Sequence, residues 1–280
     1  MRYPWCGKLT HMSRIIGTDA ALVASAVVAV AMSGLALSGF SPRSTAAAST
    51  TAESPSVSPP ASVATPSATP TPAATPLAKV PADKVASLVI VGDGSSNETS
   101  EWVNQLGEQF GKTRSTQVRR VNQAEGTSYN DPMHYGTANP RLDIWNASAT
   151  PPVSVDTTTV SKLIASTPSL ILISQGREAS SDVSAQLSKT LKAIQSEYPK
   201  APVAVILQPA MLDGSKSDSL AAVKTWATEQ GLPTIDVDQA FTTAGSASGN
   251  AGEFQVNGGE LTEAGHALWA KTVFAAVSGS

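Results

Sequence analysis

Several side chains that could carry out chemistry are gathered in the short segment GDGSSN, residues 92–97. Ser95 and Ser96 offer hydroxyl groups that could attack an acyl carbon if a nearby base removed their protons. Asp93 offers a carboxylate that could serve as a base, or that could accept hydrogen bonds within a tight turn. The segment by itself leaves both the chemical and the purely structural role of Asp93 open.

Other polar groups follow further apolar segments of the chain. They are Asn146 at the end of LDIWN and Ser148 just after it, Arg177 and Glu178 after LILIS, and Asn257 and Glu260 ahead of the last predicted helix. If the apolar segments are parallel strands, their carboxyl ends meet at one edge of a sheet. We therefore expect Asp93, Glu178 and Glu260 to converge. Three carboxylates could hold a hard cation, bind a cationic ligand or exchange protons.

A structural alternative remains for the same groups, in which Asp93 accepts backbone hydrogen bonds and Arg177 neutralises one glutamate. The histidine and cysteine spacings do not suggest a zinc site, and we predict no metal and no cofactor. His266 lies one turn into the last predicted helix, where we expect it to be satisfied or exposed to solvent. His134 is expected in a long loop.

Strand-like and helix-like segments alternate from residue 86 to the C-terminus. The predicted strands are residues 88–91, 117–121, 142–146, 170–174, 203–207 and 234–237. The predicted helices begin at Thr99 or Ser100, at 160, near 183 and at 262, and a further helix carries Leu220, Val223 and Ala227 and ends at Gly231. The first helix carries an apolar stripe of Trp102, Leu106 and Phe110. This alternation predicts an α/β fold, a doubly wound parallel sheet in three layers with right-handed crossovers. Residues 88–91, 170–174 and 203–207 should be central strands buried on both faces, and Gly92-Asp93-Gly94 should form the turn after the first.

Three motifs, IVGDG, WNAS and GGELTEAGHALWA, resemble in order and spacing those of the SGNH (GDSL-type) hydrolases. This family of esterases, lipases and carbohydrate deacetylases has a flavodoxin-like sheet, and the resemblance covers residues 83–280. It places the family's catalytic positions at Gly94, Ser148, Glu178, Asn257 and Glu260. Asp93, Ser95, Ser96, Asn146 and Arg177 would lie close to the same pocket.

At those positions the residues that the family uses for catalysis are absent. Gly94 stands where the family has its nucleophilic serine, and a glycine has no oxygen to attack an acyl carbon. Asn257 and Glu260 stand where the family has aspartate and histidine, and a carboxylate at Glu178 would repel an oxyanion. We therefore expect a degenerate, non-catalytic binding or scaffolding protein. An esterase or carbohydrate deacetylase that uses Ser95 or Ser96 is the alternative, and a carboxylate-based metal or glycan site is a third.

The N-terminal part of the chain predicts where this domain is presented. Arg2, Lys8 and Arg14 precede an uncharged apolar stretch at residues 20–37. We predict a cytoplasmic segment at 1–19, a transmembrane anchor or signal sequence at 20–40, a Ser/Thr/Pro/Ala-rich disordered linker at 41–82, and the folded domain at 83–280. The domain would lie outside a cell membrane on a single span, or be secreted if the signal is cleaved.

The charge of the chain bears on its partners. The formal net charge of −3 does not favour nucleic acid as a partner. The resemblance implies an envelope glycan or an acylated polymer instead, and the N-terminal segment implies contact with a membrane.

Overall fold

The computed structural model describes residues 75–164, 166–179, 182–256 and 259–279. The predicted cytoplasmic segment, the predicted anchor and most of the predicted linker lie outside these residues, as does Asn257. Among the residues that the structure describes, no helix is both long enough and apolar enough to cross a membrane.

The described part of the chain forms one seven-stranded sheet. Its strands are β1 (Ala86–Asp93), β2 (Thr116–Arg120), β3 (Met133–Tyr135), β4 (Leu142–Ala149), β5 (Leu170–Ser174), β6 (Val203–Leu207) and β7 (Thr234–Asp236). The order across the sheet is β3-β2-β4-β1-β5-β6-β7, and every neighbouring pair is parallel except β2 with β3. Strands β4-β1-β5-β6-β7 thus follow the flavodoxin-like order, in which the first strand lies between the second and the third. Strands β2 and β3 extend the sheet beyond β4.

Helices cover both faces of the sheet, as the alternation predicted. They are α1 (Trp102–Gly111), α2 (Val160–Leu163), α3 (Val183–Glu197), α4 (Ser217–Glu229), α5 (Val237–Ser248) and α6 (Glu263–Val277). Residues of α1, α5 and α6 form the core on one face, and residues of α2, α3 and α4 form the core on the other. On the first face Trp102 and Trp269 stack with their ring centroids 5.2 Å apart and their planes 4° from parallel.

The three strands predicted to be central are central. All eight residues of β1 and all five of β5 are buried, because each strand has a neighbour on both sides and helices above and below. In β6 only Val203 is partly exposed. Successive side chains of β1 point to opposite faces. Leu88 and Ile90 therefore belong to the core beside α1, whereas Val89 and Val91 belong to the core beside α3.

The local predictions were wrong at several element boundaries. Gly92 and Asp93 are the last residues of β1, and the turn is a short 3-10 helix, Gly94–Ser96. Neither Thr99 nor Ser100 caps α1: Glu101 holds the N-cap position, and its own carboxylate accepts a hydrogen bond from the Glu98 N–H at 2.6 Å.

Two elements were not predicted at all. His134, expected in a long loop, belongs instead to β3. A three-residue edge strand has too few residues to show an alternating pattern. Helix α5 begins directly after β7, where the Asp236 carboxylate accepts a hydrogen bond from the Gln239 N–H at 2.8 Å. Only Val237 and Phe241 of α5 are buried, so its apolar stripe is weak.

The residues immediately ahead of β1 pack against the domain. Val80 is 1% exposed and pairs in a β-bridge with Ser278, beyond the end of α6. The buried Arg114 guanidinium donates to the carbonyls of Pro81, Lys84, Pro140 and Arg141. The packed structure therefore includes residues ahead of 83.

Candidate functional site

A cavity of about 360 Å³ opens at the carboxyl edge of the sheet, beside the ends of β1 and β5. This is the switch point of the strand order, where the connections from neighbouring strands leave in opposite directions and where ligands bind in such sheets. The loop after β1, the loop after β5 and the segment ahead of α6 all line it. Their lining residues are Gly94, Ser95, Glu98, Ser100, Glu101, Arg177, Glu178, Gly259, Glu260, Leu261 and His266, and Met211 joins them from the loop after β6.

Asp93 holds these loops together from below the cavity. It is fully buried, and its two carboxylate oxygens accept five hydrogen bonds. The donors are the Ser95 N–H at 3.3 Å, the Ser95 hydroxyl at 2.6 Å, the Gly176 N–H at 3.2 Å, the Glu178 N–H at 3.4 Å and the Gln208 side-chain amide at 3.1 Å. Asp93 is not among the residues that line the cavity. Its structural role, one of the two that the sequence allowed, is the one that the geometry supports.

Gly94, where the resemblance placed the family's nucleophile, is approached by two side chains from other loops. The Gly94 N–H donates to Glu178 Oε2 at 3.0 Å, and the Thr150 hydroxyl donates to the same oxygen at 2.8 Å. A Cβ atom built on Gly94 would overlap Thr150 Oγ1 and lie 2.5 Å from Glu178 Oε1. Residue 94 therefore lacks a nucleophile, and a side chain there would require Thr150 and Glu178 to move.

The two serines that follow Gly94 lie in different environments. Ser95 lines the cavity, and its hydroxyl donates to Asp93 Oδ1 at 2.6 Å. Ser96 is fully buried, and its hydroxyl accepts a hydrogen bond from Trp102 Nε1 at 2.9 Å. Of this pair, only Ser95 can meet a ligand in the cavity.

Arg177 binds backbone carbonyls and does not neutralise a glutamate. Its guanidinium donates to the Pro209 carbonyl at 2.7 Å and to the Gly259 carbonyl, and it forms no ion pair within 4 Å in the described part of the chain. Burial lowers the pKa of Arg177, although the charges of Asp93 and Glu178 act in the opposite direction. Arg177 thus fastens the segment ahead of α6 to the loop after β6.

Asn146 and Ser148 are buried beneath the loops and do not line the cavity. The Asn146 side-chain amide donates to the Ser96 carbonyl. Ser148 lies beside Gly92 in the register of β1 and β4, and a Cβ atom on residue 92 would overlap the Ser148 hydroxyl oxygen. Gly92 is therefore required by the close approach of these two strands.

Four glutamates line the cavity, and only two of them were predicted. Glu178 and Glu260 are joined by Glu98 and Glu101, whereas Asp93 lies below. The described residues contain no group of three or more His, Cys, Asp or Glu side chains arranged to hold a metal ion. The structure thus brings Glu178 and Glu260 to the cavity and places Asp93 beneath it, bonded to the Glu178 N–H.

Glu101 and His266 are cavity residues whose role sequence reasoning missed. Burial raises the pKa of Glu101 to about 7, and the charges of Glu98 and Glu178 add to the rise. Burial, helped by the Arg177 charge, lowers the pKa of His266 to about 4. Both residues lie at the N-terminal end of a helix, α1 or α6, and each of these helix ends adjoins a loop that lines the cavity. In the sequence, only this location at the start of a predicted helix could have pointed to Glu101 and His266 as cavity residues.

The two shifted groups predict opposite effects of pH on stability. The pKa of Glu101 rises from 4.5 to about 7 on folding, so its contribution to the free energy of unfolding is lost as the pH rises through that range. The pKa of His266 falls from 6.5 to about 4, so its contribution is lost as the pH falls through that range. Between pH 4.5 and 6.5 the two effects largely cancel in the wild type.

Single variants should therefore reveal slopes that the wild type hides. We expect Glu101→Gln to make the free energy of unfolding rise between pH 4.5 and 6.5, and His266→Gln to make it fall, by about 1–2 kcal/mol after allowance for solvent screening. Urea unfolding at several pH values in this range measures both slopes. If the free energy of unfolding of both variants depended on pH as it does in the wild type, Glu101 and His266 would not be the groups with shifted pKa values.

The comparisons with known proteins bear on the fold alone. No family model matches the sequence, and no curated protein matches it. The described fold is similar to solved structures of an acetyl xylan esterase (12% identity, TM-score 0.44) and of a G-D-S-L family lipolytic protein from Veillonella parvula (14% identity, TM-score 0.42). The matches cover 69% and 68% of this chain, and 100% and 97% of the other chains. A peptidoglycan O-acetylesterase structure matches at 11% identity and a TM-score of 0.46, over 69% of this chain and 90% of that one.

The chain's own topology is the firmer observation. Its five-strand order is flavodoxin-like, and the loops that contain GDG, QGRE and GGEL meet at one cavity. The described domain thus has the flavodoxin-like α/β fold that the resemblance to the SGNH (GDSL-type) hydrolases implied.

Proposed function

We propose that this protein is a ligand-binding relative of the SGNH hydrolases that does not hydrolyse esters at the family's nucleophile position. The observation that carries the proposal is the pairing of Glu178 with Gly94 and Thr150. A side chain on residue 94 would overlap the Thr150 hydroxyl, and the Gly94 N–H is already bound to a carboxylate.

The chemistry of ester hydrolysis supports the same conclusion. The reaction needs a nucleophile, a base to activate it and donors directed at the developing oxyanion. Gly94 supplies no nucleophile, and its N–H, a natural oxyanion donor, is taken by Glu178 at 3.0 Å. The negative charge of Glu178 would oppose an oxyanion at that place.

The lining of the cavity favours a neutral ligand rich in hydroxyl groups. Glu98, Glu178 and Glu260 offer carboxylate oxygens that accept hydrogen bonds from hydroxyls. The Arg177 guanidinium, the cation of the cavity wall, donates to backbone carbonyls. An anionic ligand would meet repulsion without a free cation to offset it. We infer that the ligand is an envelope glycan or a similar polymer.

A binding experiment tests this proposal. The domain from residue 75 onward should sediment with insoluble cell-wall polysaccharide, and the double variant Glu98→Gln/Glu260→Gln should do so at least about tenfold more weakly, because it loses two charged acceptors. Lys192→Gln, on the exposed surface of α3, is the matched control. Failure of the wild-type domain to bind any neutral polysaccharide would contradict the ligand class.

An esterase that uses Ser95 is the second candidate, because the Ser95 hydroxyl lies in the cavity and 2.6 Å from a carboxylate oxygen. Asp93 is, however, already engaged by four further donors. If the Asp93 carboxylate took the serine proton, its protonated oxygen would become a hydrogen-bond donor facing groups that are themselves donors. The binding function is therefore the better supported of the two.

We further propose that the domain is exported and tethered to a membrane. The basis is the sequence alone, in which Arg2, Lys8 and Arg14 precede the apolar residues 20–37. Residues 41–74 would then separate the membrane from the packed domain.

A reporter fusion tests this topology. A reporter that is active only in the cytoplasm, fused after residue 280, should give no signal in intact cells. The same reporter fused after residue 19 should be active and serves as the control. A strong signal from the C-terminal fusion would refute the proposed export.

A further inference from the structure

A second cavity, of about 390 Å³, shares Arg177 and Glu178 with the first. It is lined by Thr150, Pro151, Pro152, Gln186 and Lys216, together with Arg177, Glu178 and Ala179. Glu178 is only partly buried, and its carboxylate borders both cavities. Both hydrogen-bond donors of this carboxylate, the Gly94 N–H and the Thr150 hydroxyl, belong to other loops.

The bonds of this carboxylate resemble those that a small bound carboxylate would make. One oxygen, Oε2, accepts from a backbone N–H at 3.0 Å and from a hydroxyl at 2.8 Å. Charge-assisted hydrogen bonds of this kind are stronger than neutral ones and favour an anionic acceptor. The two donors thus serve one carboxylate oxygen, and the protein supplies that carboxylate itself.

We propose that Glu178 is an internal occupant of a carboxylate-binding position and that it decides which ligands the site accepts. This inference rests on the proposed binding function and refines it. While Glu178 holds the Gly94 N–H and the Thr150 hydroxyl, free carboxylates are excluded and the two cavities stay separate. Without its side chain, the donors become free, and the cavities join into one cleft along the carboxyl edge of the sheet.

Two substitutions of Glu178 distinguish the effect of its hydrogen bonds to Gly94 and Thr150 from the effect of its negative charge. Glu178→Ala removes the carboxylate and frees both donors, so acetate, the smallest suitable probe, should bind at least about tenfold more tightly than to the wild type. Glu178→Gln removes the charge but keeps an amide oxygen that can accept the same two hydrogen bonds. It should therefore remain closed to acetate.

Acetate binding is measured by ligand-observed NMR on the domain from residue 75 onward, after circular dichroism has verified that each variant is folded. Glu260→Ala is the matched control, because it removes a cavity carboxylate that is not bonded to Gly94. If Glu178→Gln bound acetate as strongly as Glu178→Ala, the charge of Glu178 alone would explain why the wild type excludes acetate. That result would overturn the proposal. Absence of acetate binding by a folded Glu178→Ala variant would also overturn it.

Failure of this inference can be told apart from failure of the proposed function. That proposal fails if the wild-type domain hydrolyses esters or ignores neutral polysaccharide, and neither measurement involves acetate or a Glu178 variant.

Discussion

Replacing Asp93 with alanine is expected to lower the free energy of unfolding by about 3–5 kcal/mol. The carboxylate is fully buried and accepts five hydrogen bonds from four residues. Alanine would leave the N–H groups of Gly176 and Glu178 without their acceptor, whereas the Gln208 amide would keep its hydrogen bond to the Ser174 carbonyl at 3.0 Å. Because these donors belong to the loops after β5 and β6, we also expect the cavity to lose its shape.

Urea unfolding monitored by tryptophan fluorescence measures this loss. Asp93→Asn should cost less, because one of its two polar atoms can still accept hydrogen bonds. Asp131→Ala, in an exposed loop, is the matched control and should change stability by less than about 0.5 kcal/mol. A loss in Asp93→Ala no larger than in that control would show that Asp93 is not the residue that joins the loops.

The second large effect concerns ester hydrolysis. The wild-type domain should hydrolyse short acyl esters no faster than the small residual rate that binding alone provides, and Ser95→Ala should leave that rate unchanged. Residual catalysis without a triad is about 10³–10⁴-fold over water in an intact protease, and there it depends on an oxyanion hole. Here Glu178 occupies the Gly94 donor, so we expect less. Turnover that disappears in Ser95→Ala would make Ser95 the nucleophile and would refute the binding proposal.

Restoring the family's residues tests the geometry further. The triple change Gly94→Ser, Asn257→Asp and Glu260→His supplies a serine, an aspartate and a histidine, but the serine Cβ would overlap the Thr150 hydroxyl. We therefore expect this variant to be destabilised by about 1–3 kcal/mol and to remain inactive. Adding Thr150→Ala and Glu178→Asn removes the overlap and the opposing charge.

The variant with all five substitutions should hydrolyse esters at least about 10²-fold faster than the triple variant. Loss of a single oxyanion donor already lowers the rate by about that factor. The same triple variant carrying Lys192→Gln and Glu229→Gln, two surface changes, controls for the number of substitutions. Equal activity of the triple and five-fold variants would show that Thr150 and Glu178 do not block the site.

The sequence by itself determined the layered architecture. Continuous apolar runs such as LVIV and LILIS can be satisfied only by burial on both faces, and their alternation with amphipathic helices allows few folds besides a parallel sheet. These are local properties, because each run carries its own pattern. The motif spacing likewise brought Gly94, Glu178 and Glu260 to one edge, where the structure places them. It could not reveal β3 or α5, whose patterns are too short or too weak.

Only the tertiary structure decided what the site is made of. Glu178 reaches Gly94 across 84 positions and Thr150 across 28, and a contact over such separations leaves no trace in local pattern. The sequence suggested that Glu178 would repel an oxyanion. In the structure its carboxylate accepts hydrogen bonds from the Gly94 N–H and the Thr150 hydroxyl, and it lies 2.5 Å from where a Cβ atom on residue 94 would be. Glu101 and His266 stand out only in the folded structure. Burial removes water from the carboxyl and the imidazole and thereby disfavours the charged form of each, which shifts both pKa values. The sequence gives the residue types, but desolvation and side-chain overlap arise only when loops that are distant in the sequence pack together.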